Sequence, residues 1–172
     1  NLGDFSGSQL PPDDEEGELV VSQYASAKYH GREHFYDVIG NHDASGVWEP
    51  TQWWFKKWID PIGSNSEFSQ VDNSKRPYPT TGTWENYSFE VGNIVFLMLA
   101  DRNDGGPPIG RGDFGGYPAG AVSEETFQWW VQKISENRGK IVITAHHHMV
   151  KGTTVASGLN EGCDEGYHGR MP

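Results

Sequence analysis

Apolar residues in this chain fall into short runs separated by long polar, glycine-rich stretches, and the period changes from run to run. From 3 to 17 the composition is that of a loop, and the acidic run Asp13-Asp14-Glu15-Glu16 within it reads as a solvated stretch ahead of a helix. Val20, Tyr24 and Ala27 then recur at helical spacing, predicting a helix over 19–29. Residues 34–39 read as a short strand. Phe55, Trp58 and Ile59 share one face of a short helix over 51–59 that Pro61 ends. The stretch 63–83 is polar, rich in turn residues and without a period, which suggests an insertion or lid.

The second half carries stronger signals. Tyr87 and Phe89 alternate with Ser88 and Glu90, and Val91-Gly92-Asn93 joins that strand to 93–100 as a hairpin. The run from Ile94 to Ala100 is continuously apolar, as in a strand covered on both faces, and is the expected central strand. After a Gly/Pro loop over 101–120, Ser123 is a good N-cap, with Glu124 and Glu125 favourable in the first turn. Phe127, Trp130, Val131 and Ile134 form the apolar stripe of that helix, Gly139 closes it, and 140–145 reads as a further buried-type strand. Strand, loop and helix alternate, so the class is α/β with an added antiparallel hairpin.

Composition narrows the picture. At 172 residues one domain, 1–172, is expected, and 22 glycines with 10 prolines mark a loop-rich one. A net charge of -11 repels a phosphate backbone, so general nucleic-acid binding is not expected. Cys163 stands alone, which excludes an internal disulfide and any zinc site built from several thiolates. No apolar run approaches the roughly 18 residues of a membrane span, and a soluble chain is expected, its compartment and oligomeric state left open. The edges around Asn1 and Pro172 read as cut, suggesting truncation at both ends.

Three short apolar runs end in polar clusters: Gly3-Asp4, Gly40-Asn41-His42-Asp43, and His146-His147-His148. Ends of strands are where open α/β sheets build their sites. Asp4, Asn41 and His146 offer a carboxylate, a carboxamide and an imidazole, ligand types that manganese, iron and zinc accept. Two such ions about 3.5–4 Å apart can acidify a water and clamp a phosphate. His42, beside Asn41, would suit protonation of a leaving oxygen, and Asp43 could orient its ring. Successive side chains on an extended segment alternate, so the three histidines cannot all face one ion.

These blocks, in this order, resemble the calcineurin-like metallophosphoesterases, the superfamily that includes purple acid phosphatases and many phosphodiesterases. The resemblance implies a four-layer α/β/β/α sandwich with mixed sheets. It further implies a dinuclear centre of manganese, iron or zinc bridged by Asp4, with Asn41 and His146 on the second ion. His42 would be the catalytic histidine with Asp43 its partner, and a metal-bound hydroxide the nucleophile. His146 is preferred because the family ligand is usually the first histidine off the strand, with a slip to His147 left open. The substrate would be a phosphate-ester small molecule or a phosphoprotein. The family's first block, an aspartate and a histidine two residues apart, would precede Asn1. Its last, Gly-His-x-His, would follow Pro172, and Gly166-Tyr167-His168-Gly169 does not match it.

Other readings stand beside this one. Seven tryptophans suit a noncatalytic carbohydrate-binding module, with Trp48, Trp53 and Trp54 as rim residues. A family member that keeps the fold without catalysis is a further alternative. His30, His34 and His168 read as surface or locally bonded residues, Asp101 as fixing its loop, and Arg111-Gly112-Asp113 as a chance tripeptide. The loops 63–83 and 101–122 are the expected substrate rim.

Overall fold

The computed structural model describes residues 1–6, 12–40, 43, 52–100 and 122–147. Among them, β1 (Thr81–Gly82), β2 (Asn86–Val91), β3 (Ile94–Leu99) and β4 (Ile141–Ala145) form a four-stranded mixed sheet in that order. β2 and β3 make the expected hairpin, antiparallel with Phe89 opposite Phe96 and Tyr87 opposite Met98. β4 pairs with β3 in parallel, Met98 opposite Ala145. The antiparallel hairpin and parallel neighbour together give the mixed α/β class. β3 lies between two neighbours with Leu97 and Leu99 fully buried, as a continuously apolar strand should.

One face of the sheet carries α3 (Glu124–Glu136), whose N-cap Ser123 accepts from the Thr126 N–H. Trp130 Nε1 donates to Thr144 Oγ1 of β4 at 2.9 Å, and Asn86 of β2 donates to the buried Thr126 hydroxyl at 3.0 Å. The other face packs on the segment 35–40: Val38 joins Tyr87, Phe89 and Met98 in one core cluster, with Ala145 against it. Tyr36 stacks on Phe89 at 4.0 Å between centroids, and Phe89 on Phe96 at 4.7 Å. A second cluster joins α1 (Asp14–Ala25), through Val20 and Val21, to Trp54, Phe55, Trp58 and Ile59. Each such side chain, fully buried, contributes about 1.5–3 kcal/mol.

Several local expectations are corrected. The helix starts at Asp14 rather than 19, because Asp13 caps it by accepting from Glu16 N–H at 3.0 Å and the following acids sit favourably in its first turn. That acidic run is therefore docked: Trp54 Nε1 donates to Asp13 O, and both Lys57 Nζ and Trp58 Nε1 donate to Asp14. Residues 34–39 do not form a ladder strand, since Arg32–His34 is a 3-10 turn and the extended stretch beyond it meets Asn1. The short helix near 51–59 tightens around a π turn, Phe55–Ile59, that ends in left-handed Asp60 just before Pro61.

The stretch 63–83, expected as an insertion or lid, is anchored at a few buried points while most of its residues are exposed. Asp60 accepts from Ser64 N–H, Asn65 N–H and the Ser69 hydroxyl, holding the short helix α2 (Ser66–Ser69). Buried Arg76 donates to the carbonyls of Phe35 and Pro61 at 2.7 and 2.9 Å. Among the described residues β4 is an edge strand, with Ile141 57% and Ile143 40% exposed, so its apolar run overstated its burial. Of the expected rim residues, Trp54 is a core residue and Trp53 is half-buried. Trp48, Asp101 and the loop 101–121 lie outside the described residues.

Candidate metal centre

The site is assembled by two segments running side by side in one direction. The Asn1 nitrogen donates to Tyr36 O at 2.8 Å and Val38 N–H donates to Asn1 O at 3.1 Å, the pattern of parallel neighbours. A buried ion pair, Arg32 to Asp37 at 2.7 Å, anchors the second segment. Tyr24 donates its hydroxyl to the same carboxylate and Tyr87 donates to the Asp37 carbonyl. Burial of these polar groups costs free energy unless they are paired, and the pairing specifies where the segment leading to Gly40 must lie.

Both segments end in glycine followed by a polar residue, and the glycines meet. A Cβ on Gly3, whose φ is +91°, would fall 2.4 Å from Gly40 N and 2.6 Å from Gly40 Cα. A Cβ on Gly40 would fall 2.3 Å from Asp4 Oδ1 and 3.0 Å from His147 Cε1. Only residues without a side chain permit this approach. Asp4 itself is left-handed, with φ 55°, a conformation that aspartate tolerates better than most residues.

Asp43 clamps the two turns together. Its Oδ2 accepts from Asp4 N–H (2.9 Å) and Gly40 N–H (2.8 Å), and its Oδ1 from Phe5 N–H (2.7 Å) and Ser6 N–H (3.0 Å). Four backbone donors match the acceptor capacity of one carboxylate. The group is fully buried. Burial pushes its carboxyl above the ordinary range, the Gly40, Ser6 and Phe5 N–H groups pull it partly back, and the charge of Asp4 adds to the upward push. Sequence reasoning placed Asp43 beside the His42 ring; the holding of the Gly3-Asp4 turn was not foreseen. Its sequence signal was an aspartate next to a tight turn, a residue type that satisfies backbone donors readily.

The third segment arrives from β4. Ala145 faces the cluster around Val38, and alternation puts residue 147 on the same side. The His147 Nε2 lies 3.3 Å from Asp4 Oδ1, and its Nδ1 lies 2.5 Å from Leu2 O. A carbonyl can only accept, so Nδ1 donates in that contact, which leaves Nε2 as the ring nitrogen that faces the Asp4 carboxylate. A histidine whose second nitrogen donates to a backbone carbonyl is the usual arrangement around a bound metal.

Of the expected site residues, Asp4 is thus brought together with His147 and the backbone of Gly40. The expected imidazole was that of His146, which is half-buried beside it. Asn41, His42 and His148 lie outside the described residues. Among the described residues no group of three or more His, Cys, Asp or Glu converges on one point, and no helix is long and apolar enough to cross a membrane. In comparisons with known proteins, no family model, no curated protein and no solved structure matches the chain.

Proposed function

We propose that the protein is a metal-dependent phosphoester hydrolase of the calcineurin-like type, and that its sheet belongs to the four-layer α/β/β/α sandwich of that superfamily. The observation that carries this reading is the contact of Asp4 with His147 across Gly40. Residues far apart in the chain, each next to a glycine or at a strand end, meet as an anionic oxygen facing an imidazole nitrogen. That donor set fits manganese, iron or zinc. Two such ions, when bound, would polarise the phosphoryl oxygens and acidify a water.

The chain's own groups divide the remaining work. Asp4 and an imidazole of the 146–148 run hold the ions, with Asn41 as the carboxamide ligand that the resemblance implies. His42 gives a proton to the departing oxygen. Asp43 holds the Asp4 turn against Gly40 so that the ligands are placed before substrate arrives.

Metal content is measured, and p-nitrophenyl phosphate and its bis-ester are assayed with and without chelator. Bound transition metal with chelator-sensitive turnover is expected. Bound metal without turnover would favour the noncatalytic family member, and absence of both would reject the reading.

A further inference from the structure

A cleft of about 400 Å³ opens beside Asp4, between the 1–5 segment, α1 and Phe35. Its volume is within the range that holds small organic ligands. Three aromatic residues line it, Phe5, Tyr24 and Phe35, with ring centroids of Tyr24 and Phe35 4.7 Å apart and those of Phe5 and Tyr24 6.4 Å apart. Val20 and Ala27 add aliphatic surface. The Tyr24 hydroxyl is engaged by Asp37 and its ring carries the Arg32 guanidinium 4.2 Å from the centroid, so Tyr24 contributes to the cleft as part of its apolar wall and not as a hydrogen-bonding group.

The polar part of the lining is comparable in extent to the apolar part. Gln23 stands at the rim, Asn1 and Asp4 at the end nearest the metal centre, and no lysine or arginine side chain lines the space. A second phosphate group or an acidic peptide would find no lysine or arginine side chain there and would meet the Asp4 carboxylate, in a protein that already carries a net charge of -11. A flat, uncharged ring would find three rings to pack on, and such pairs prefer centroid separations of about 4.5–7 Å.

Building on the hydrolase reading, we infer that this cleft receives the organic part of the substrate and selects aromatic, uncharged alcohols, so that the natural substrate is the phosphate monoester of such an alcohol. Hydrolysis breaks the P–O bond to that alcohol, and water supplies both the new oxygen on phosphorus and the proton that the alcohol carries away. The phosphate would be left at the ions that Asp4 would hold, and the alcohol leaves through the cleft.

Two rim positions, Gln23 and Ala27, are exposed, so tryptophan at either fills the cleft without disturbing a core. The probes are 1-naphthyl phosphate, glycerol phosphate and adenosine triphosphate for turnover, and 1-naphthol for binding, followed by its fluorescence. The wild type is expected to bind 1-naphthol and to prefer naphthyl phosphate over both other esters. Ala27→Trp and Gln23→Trp are expected to weaken naphthol binding about tenfold and to lower the naphthyl-to-glycerol ratio of kcat/KM by about the same factor. Esters hydrolysed with that ratio and naphthol affinity untouched by both variants would overturn the cleft assignment while leaving the hydrolase reading intact. Naphthol binding lost in the variants, in a protein that hydrolyses none of the esters, would uphold the cleft as an aromatic-alcohol site and reject the hydrolase reading.

Discussion

Replacing Gly40 by alanine adds one methyl group where the structure has no room for it. The new Cβ would sit 2.3 Å from Asp4 Oδ1, 2.5 Å from Asp4 N and 3.0 Å from His147 Cε1. Carbon contacts settle near 3.5–4.0 Å, so the Asp4 turn would have to retreat by roughly 1 Å. That turn cannot move freely, because Asp4 N–H and Gly40 N–H share one oxygen of Asp43. Overpacking of this kind costs about 1–3 kcal/mol, which for a chain of this length lowers Tm by roughly 2–12 °C. A misplacement of about 1 Å also lowers turnover by roughly a hundredfold if the reacting groups depend on it. Gly139 is the control, since a Cβ there meets nothing within 4 Å. Thermal unfolding of Gly40→Ala, Gly3→Ala and Gly139→Ala is followed by circular dichroism, and manganese affinity by titration calorimetry. Gly3→Ala and Gly40→Ala should both lose stability and metal affinity while Gly139→Ala keeps them. Three variants with indistinguishable Tm and affinity would refute the close approach of the two turns and, with it, the shared centre.

Asp43→Asn replaces one of two acceptor oxygens by an amide that faces two N–H donors. With two backbone groups left unsatisfied at about 1–3 kcal/mol each, urea unfolding should show a loss of roughly 2–6 kcal/mol; a change under about 0.5 kcal/mol would contradict the clamp. His147→Ala should weaken manganese or zinc binding more than about tenfold and exceed the effect of His146→Ala; the reverse order by calorimetry would return the ligand to the first histidine of the run. Burial raises the phenols of Tyr24 and Tyr87 above their ordinary value of 10.0, with the Asp37 charge adding to it. A folded value above the unfolded one means their stabilisation is complete below pH 10 and is lost as pH rises through the folded value. The phenolate absorbance of these two tyrosines should therefore appear only together with unfolding above pH 10, after that of exposed ones such as Tyr29, and ionisation of all seven tyrosines in a still-folded chain would refute it.

Where a segment's structure depends on its own residues, the chain could be read directly. The Val91-Gly92-Asn93 turn, the alternation of Tyr87 and Phe89, and the Ser123 cap with its apolar stripe are local signals, and β2, β3 and α3 follow them. The acidic run at 13–16 was misread because a cap and a solvated loop share a composition; the tryptophans that dock on it lie about forty residues away. In the same way the polar stretch 63–83 concealed its anchors, since Asp60 and Arg76 hold it through backbone groups that composition does not reveal.

By itself the sequence determined which kinds of group stand next to glycines and strand ends: Asp4, the 40–43 turn and the histidine run. It did so because turns and strands impose short-range rules on residue type. Only the tertiary structure decided that Gly3 lies against Gly40, that Asp43 holds the Asp4 turn by four backbone hydrogen bonds, and that the ring meeting Asp4 is that of His147. Those contacts join segments from opposite ends of the chain. The energy that selects them comes from packing and from satisfying buried polar groups in three dimensions, so one residue of register along β4 decides which nitrogen faces the carboxylate.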